Sequence, residues 1–158
     1  MSKREVNLPF IEPAIGVVTS PNGHGLEATV GDLVKSSGWL QRAASNAKLS
    51  TVLLFRLVKV WRDVTAQMES YNEALKPLMI EYLDDLGENF KSLRSRSEYE
   101  AKVKALHAEV AVLPHVTGRL PYQMISDNNK DAKTDEGKLL LSAADMVALE
   151  WLVEFPEE

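Results

Sequence analysis

The side chains best suited to chemistry are three histidines, because imidazole acts as a ligand, base or proton carrier near neutral pH. His24 lies in a Pro-Asn-Gly-His-Gly sequence, and His107 and His115 flank the end of a predicted helix. The order His107-Ala-Glu109 matches the His-x-Glu of zinc deaminases, but that site also needs a Pro-Cys-x-x-Cys segment and the chain has no cysteine. We therefore interpret the histidines as surface or turn residues and predict no metal site.

Two further segments contain parts of ligand-binding loops without completing them. Residues 127–131, Asp-Asn-Asn-Lys-Asp, place oxygen-bearing side chains at the first, third and fifth positions of a calcium loop. The sixth position, which needs glycine, is Ala132, and the twelfth, which needs glutamate, is Lys138. Residues 21–25 contain two glycines but neither glycine order that binds phosphate. We predict a solvated loop at 127–137, a hairpin turn at 21–25, and no cofactor.

Basic side chains form two groups along the chain. One has roughly one-turn spacing on a predicted long helix, and the other follows that helix (Arg56, Lys59 and Arg62; Lys91, Arg94 and Arg96). The whole chain nevertheless carries a net charge of -5, with 18 basic and 23 acidic residues. Residues 97–158 carry six basic against twelve acidic residues and so account for the deficit. Since this field repels phosphate, we do not expect nucleic-acid binding.

Length and composition fit one domain over residues 1–158. Hydrophobic residues make up 45% and charged residues 26%, as in ordinary globular chains. The lack of cysteine excludes disulfide frameworks and thiol catalysis and fits a reducing compartment. No apolar run approaches the roughly 20 residues of a membrane helix, and the first residues lack the apolar core of a secretory signal. These features predict a cytoplasmic protein without membrane contact.

A heptad repeat dominates the middle of the chain. Apolar and aromatic residues recur at alternating gaps of 3 and 4 from Leu54 to Tyr82. This pattern predicts a long helix, capped by Ser50, that packs lengthwise on a partner. Pro77 is expected to kink or break this helix, and Gly87 to end it.

A second repeat with gaps of 4 and 3 covers residues 99–113, after a capping box at 97–100 and before Pro114. Two heptad helices joined by a short polar connector are expected to fold back on each other. We therefore predict a mainly α fold built on an antiparallel long-helix hairpin at 50–113, with heptad seams 54–82 and 99–113.

The flanking segments are predicted to add helices and a small β element. Proline punctuation and short β-branched runs characterise the N-terminal part, and capping residues mark the later helices. The predicted elements are an arm with a β-hairpin at 1–30, a helix at 31–45, short strands at 122–125 and 139–141, and a helix at 142–155 capped by Ser142 with Asp145.

Large aromatic residues are the candidate protein-binding positions. Trp61 falls on the heptad seam, where core packing is the favoured interpretation. Tryptophans that do not pack on this seam are predicted interface anchors, because tryptophan is enriched at binding hot spots. The candidate interface residues are Trp39, Trp61, Trp151, Phe10 and Phe155.

Three stretches resemble a family of small helical proteins encoded by tailed bacteriophages and prophages. They are VKVWRDVTAQMESYNEALKPLMIEYLDDLGE, EYEAKVKALHAEVAVLPHV and LLLSAADMVALEWLVEF, with matching residues Tyr82, Gly87, Glu88, Leu141, Ser142, Asp145, Ala148, Leu149 and Glu150. The resemblance covers about 105 residues from Ser50 onward. Residues 1–49 fall outside it, and this chain inserts four residues between Tyr82 and its Gly-Glu stop. The resemblance implies phage origin and an accessory, protein-binding or virion-associated role.

We expect a non-catalytic phage protein that binds protein subunits, its own copies or other phage proteins, during virion assembly or in the particle. It is expected to be oligomeric and to lie in the host cytoplasm or the virion. The alternative is a phage-encoded acidic inhibitor that binds a host defence or polymerase complex. An enzyme is the third reading, and it requires a pocket in which His115, Glu109 and Asp127 converge.

Overall fold

Residues 25–156 are the part of the chain that the computed structural model describes. A short strand, β1 (Leu26–Thr29), leads directly into helix α1 (Val30–Ala44). The junction is a capping box: Thr29 Oγ1 accepts from the Asp32 backbone N–H, and Asp32 Oδ2 accepts from the Thr29 N–H, both at 3.1 Å. These bonds satisfy backbone donors that a helix start leaves unpaired. The helix predicted at 31–45 is therefore present.

Helix α2 (Thr51–Tyr82) packs closely against α1 and forms the centre of the molecule. The Ser50 hydroxyl accepts from the Leu53 N–H, as the sequence predicted. Pro77 lies inside α2 without ending it, so the predicted break does not occur. The two helices enclose a hydrophobic core whose central side chains are Leu33, Leu40, Leu53, Leu57, Val60 and Val64.

Only part of the predicted 54–82 seam is buried. The fully buried apolar residues in the first half of α2 include Leu53 and Val60, whereas Leu54 and Trp61 are half-buried beside them. Because α1 covers this face, the buried stripe is rotated by about one residue from the predicted seam. Beyond Val64, Tyr82 is the one buried position of α2 within the described chain.

The predicted second heptad helix is divided between a helix and a strand. Helix α3 (Leu93–His107) starts at a Ser92 cap and not at Ser97, and it ends before the β-branched residues that follow. Strand β2 (Val110–Leu113) then pairs antiparallel with β1. Within the described chain α3 buries no side chain, so a hairpin with two complete seams is not confirmed. Pairing with β1 competes successfully with helix continuation because valine favours strands.

The C-terminal part differs from prediction in four places, one of which is that residues 127–131 of the predicted solvated loop are helical. The elements are β3 (Leu120–Pro121), α4 (Tyr122–Asp131), a 3-10 turn (Asp135–Gly137), α5 (Ala143–Ala148) and β4 (Val153–Glu154). The strand predicted at 122–125 is the start of α4, and the one predicted at 139–141 is not a strand. The Ser142–Asp145 capping box is confirmed, but α5 ends at Ala148 and β4 pairs in parallel with β3.

A buried asparagine ties the C-terminal part to the start of α2. Asn128, which is 4% exposed, accepts a hydrogen bond from the Ser50 N–H at 2.7 Å and donates to the Gly137 carbonyl at 3.0 Å. Its neighbour Asn129 accepts from the Leu139 N–H at 2.7 Å. These bonds fix residues 132–138, whose side chains are mostly polar, next to the buried Leu139.

The first strand of the predicted N-terminal hairpin lies outside the described residues. The second is β1, and its partner is β2, with Leu26 opposite Leu113. Gly25 is required before β1, because a Cβ there would lie 2.0 Å from the Leu113 carbonyl oxygen. Within residues 25–156, no helix combines the length and the apolar character needed to cross a membrane.

Candidate functional site

The end of α2 and the turn that follows it carry large apolar side chains that face solvent. Ile80, Leu86 and Leu93 expose 77%, 78% and 86% of their surface, and Met79 is also exposed. We call residues 79–93 the distal turn. Single exposed apolar residues are common, but several within one short segment are typical of interaction surfaces.

Backbone hydrogen bonds close the distal turn. The Asp84 N–H donates to the Asn89 carbonyl at 2.8 Å, and the Lys91 N–H donates to the Tyr82 carbonyl at 3.0 Å. Gly87 adopts a φ of 71°, a left-handed conformation that glycine takes at little cost. Helix α2 thus ends at Tyr82, five residues before the stop predicted at Gly87, and Gly87 lies in the turn instead.

The Asp84 carboxylate holds the backbone on which Leu86 sits. Its Oδ1 accepts from the Leu86 N–H at 3.2 Å and from the Glu88 N–H at 3.1 Å. These bonds, the one from Glu88 foremost, lower the pKa of Asp84 below its ordinary value. The carboxylate therefore stays ionised and keeps the Leu86 side chain displayed at the tip.

Aromatic packing against α3 supports the distal turn from beneath. The Tyr99 ring lies 6.3 Å from the Tyr82 ring and 5.4 Å from the Phe90 ring, measured between centroids. The Lys102 ammonium lies 5.4 Å from the centroid of Tyr82. Such pairs add to the burial of these rings. The exposed apolar residues thus stand on an ordered base, which lowers the entropy that binding would cost.

A second polar contact joins α2 and α3 closer to the core. Tyr71 Oη lies 2.8 Å from His107 Nε2, and the ring centroids are 5.4 Å apart. Burial, with a smaller effect from Tyr99, raises the pKa of Tyr71 above 10.0. The folded state therefore favours the neutral phenol, and it loses this stabilisation as the pH rises past the ordinary tyrosine value.

We expect Tyr71 to ionise only above pH 10.0. The Tyr71→Phe variant shows how much of the tyrosinate absorbance comes from Tyr71. Subtracting the ultraviolet titration of the variant from that of the wild type isolates one of the four tyrosines. Wild-type stability should also fall more steeply than that of the variant as the pH rises past 10.0. A difference component that titrates at or below the ordinary value contradicts the assignment.

Of the two histidines within residues 25–156, His115 has both its backbone and its ring bonded to one carboxylate. Buried Asp63, 5% exposed, accepts from the His115 backbone N–H at 2.7 Å, and its other oxygen lies 2.8 Å from His115 Nδ1. The imidazole itself is largely exposed. His115 also lines a small cavity with Arg56 and Lys59. The carboxylate fixes both the backbone and the ring at this point of the fold.

The three residues that an enzyme would have required have different partners. His115 pairs with Asp63, and Asp127 accepts from Gln123 on its own helix. Glu109 is exposed. Within residues 25–156, no group of three or more histidine, aspartate or glutamate side chains is placed to hold a metal ion.

A cavity of about 380 Å³ lies between the start of α2 and the segment after α4. Lys48, Ser50, Asn128 and Lys133 are among its lining residues. The Asn128 amide is engaged on both its oxygen and its nitrogen by the chain itself. The cavity therefore offers no unpaired buried group with which to recognise a ligand.

Comparisons with family models, curated proteins and solved structures give no match to this chain. The functional assignment accordingly depends on the geometry of the site.

The predicted tryptophan anchors pack within the chain. Trp39 is buried, and Trp61 lies half-buried against the core. Trp151 is half-buried, and its indole N–H donates to the Ser36 hydroxyl at 3.1 Å. The distal turn, by contrast, is formed by aliphatic residues that the prediction had assigned to a helix or a polar connector.

Of the two predicted phenylalanine anchors, Phe155 is half-buried and packs 5.7 Å from the Tyr122 ring, between centroids. Phe10 lies outside the described residues. The basic residues predicted in the connector lie partly in α3, where Arg94 pairs with Glu98 on the exposed surface.

Two features of the site could have been read from the sequence. Leu86 is a large apolar residue directly before Gly87, where the helix was predicted to end, and such a residue is not needed to end a helix. Asp63 is a charged residue directly before the seam residue Val64, so its position marked it as a candidate for a buried charge. Its partner His115 lies 52 positions away, which no local pattern identifies.

Proposed function

We propose that the protein is a non-catalytic binding protein whose distal turn docks on another protein subunit. The observation that carries this proposal is the exposure of Ile80, Leu86 and Leu93 on an ordered turn. Burying three such side chains supplies on the order of 5 kcal/mol before the costs of association. This is enough to drive recognition when the surface is already ordered.

The charges around the turn indicate what kind of partner fits. Asp84, Asp85 and Glu88 surround Leu86 in the sequence and lie in the same turn. A matching partner has an apolar pocket with basic residues at its rim, because complementary charges steer and orient association. The resemblance to helical phage proteins supports virion assembly, or the particle itself, as the setting.

Site-specific photo-crosslinking tests this function in cells that naturally produce the chain. A photoreactive amino acid replaces Leu86 in one variant and the exposed Lys133 in a control variant. We expect one defined protein to be crosslinked from position 86 and not from position 133. The yield should fall at least about tenfold when Ile80 and Leu93 are both changed to serine. Equal crosslinking from both positions contradicts the proposal.

Particle analysis distinguishes the virion role from the alternative inhibitor role. A structural or assembly component co-purifies with particles at a fixed copy number. If the chain is absent from particles and its crosslinked partner is a host protein, the virion role is wrong. Sedimentation equilibrium of wild type and the Ile80→Ser/Leu93→Ser variant then shows whether the partner is a second copy of the chain.

A further inference from the structure

One face of α2, away from the distal turn, combines exposed apolar side chains with half-buried basic ones. Val52 and Phe55 expose 65% and 62% of their surface. Arg56 and Lys59 follow at helical spacing, so the four residues share a face that we call the α2 flank. The Lys59 ammonium lies 5.2 Å from the Phe55 ring centroid. The core does not use this face.

The described chain begins next to the α2 flank. The Leu26 N–H donates to the Val116 carbonyl at 2.7 Å, and Gly25 runs against the Leu113 backbone. Val116 in turn lines a small cavity together with Arg56 and Lys59. Gly25, where the described chain starts, therefore lies near the basic end of the flank.

The segment outside the described residues contains a sequence that complements this face. Phe10 and Ile11 are adjacent large apolar residues, and Glu12 follows them directly. From Gly25 back to Ile11, an extended chain spans up to about 45 Å. The flank itself extends only about 10 Å from Lys59 to Val52 along the helix axis. The segment is therefore long enough to reach every residue of the flank.

We propose that residues 10–12 dock on the α2 flank of the same chain. Phe10 and Ile11 cover Val52 and Phe55, and the Glu12 carboxylate pairs with Arg56 and Lys59. The tether favours this occupant over a separate molecule, because a linked segment is present at an effective concentration in the millimolar range. The inference concerns a different surface from the distal turn and does not depend on the proposed function.

Disulfide trapping tests the docking directly, because the chain contains no cysteine of its own. The test variant is full-length Ile11→Cys/Val52→Cys. The control is Ile11→Cys/Val147→Cys, since Val147 on α5 is 70% exposed. Under mild oxidation, the test pair should form an intramolecular disulfide at least about ten times faster than the control pair. Equal rates overturn the proposal, and so does a disulfide-linked dimer as the main product of the test variant.

The charges provide an independent check within the same assay. Arg56→Glu with Lys59→Glu should slow the trapping of Ile11→Cys/Val52→Cys, and adding Glu12→Lys should restore it. If the trapping rate does not respond to these charge changes, the proposed pairing of Glu12 with Arg56 and Lys59 is wrong.

Methyl resonances give a readout that does not depend on the cysteine variants. In full-length Phe10→Ser/Ile11→Ser, the Val52 methyl shifts should change while those of Val147 remain as in wild type. Unchanged Val52 shifts overturn the proposal. None of these experiments changes residues 79–93, so their outcomes are separate from that of the photo-crosslinking test.

Discussion

Asp63→Ala is expected to lower the free energy of unfolding by about 2–4 kcal/mol, because it removes a buried charged acceptor from two hydrogen bonds. Asp63 is 5% exposed, and its carboxylate bonds both the backbone and the ring of His115. Without it, the turn after β2 loses its link to α2, and a small cavity remains beside Val64. Urea denaturation monitored by circular dichroism measures the loss.

Matched variants separate the charge from the packing at this position. Arg62→Ala, an exposed neighbour, should change stability by no more than about 0.5 kcal/mol. Asp63→Asn keeps one acceptor oxygen and should fall between wild type and Asp63→Ala. His115→Ala retains the backbone bond and should cost less than Asp63→Ala, since the imidazole is 60% exposed. If Asp63→Ala and Arg62→Ala behave alike, the carboxylate has no structural role.

The second large effect is expected for Asn128→Ala, which should cost about 2–4 kcal/mol because it leaves a buried carbonyl and a partly buried N–H without partners. The affected groups are the Ser50 N–H at the start of α2 and the Gly137 carbonyl. Because the bonded groups lie at the edge of the core, opening should be local before it is global. Hydrogen exchange at the Leu139 N–H should therefore accelerate along with the loss of overall stability.

Asp127→Ala is the matched control for the asparagine. Asp127 adjoins Asn128 on α4 but is exposed, and its carboxylate accepts from Gln123 one turn earlier. An exposed pair of this kind contributes only a few tenths of a kcal/mol. Equal exchange rates at Leu139 in wild type and Asn128→Ala would show that Asn129 alone secures the segment.

The parts of the fold that sequence predicts are those determined by neighbouring residues. The caps at Ser50 and Ser142 and the helix 31–45 are correct, because a capping side chain needs only the next three residues. The mainly helical character and the small β element are also correct. Pro77 shows the limit of such signals, since a helix with packing on both sides of a proline can continue through it.

The errors lie where residues distant in the sequence determine the secondary structure. Residues 110–113 fit a heptad and a strand equally well, and the choice depends on β1, whose Thr29 lies 81 positions before its partner Val110.

 Likewise, residues 122–125 have strand-forming side chains but continue into α4, because Ile125 is buried in the core from that helix.

For the candidate site, sequence predicts a helix end near Gly87 and a connector after it, but not the exposed apolar residues. The heptad pattern places Leu75 and Leu78 on a seam that a long partner helix would cover. Because α3 is short and α1 packs on the first half of α2, the end of α2 is covered only in part. The tryptophans that were predicted as binding anchors pack in or against the core instead. Other aromatic residues form the base of the distal turn.

The pairing of β1 with β2 also has a consequence for the order in which the protein folds. Helices α1 and α2 are adjacent in sequence and can associate as soon as both have left the ribosome. Strand β1 precedes them but pairs with residues 110–113, so it must wait until α3 and β2 have been synthesised. During that interval β1 has an unpaired edge, and chaperones have their clearest opportunity to bind it.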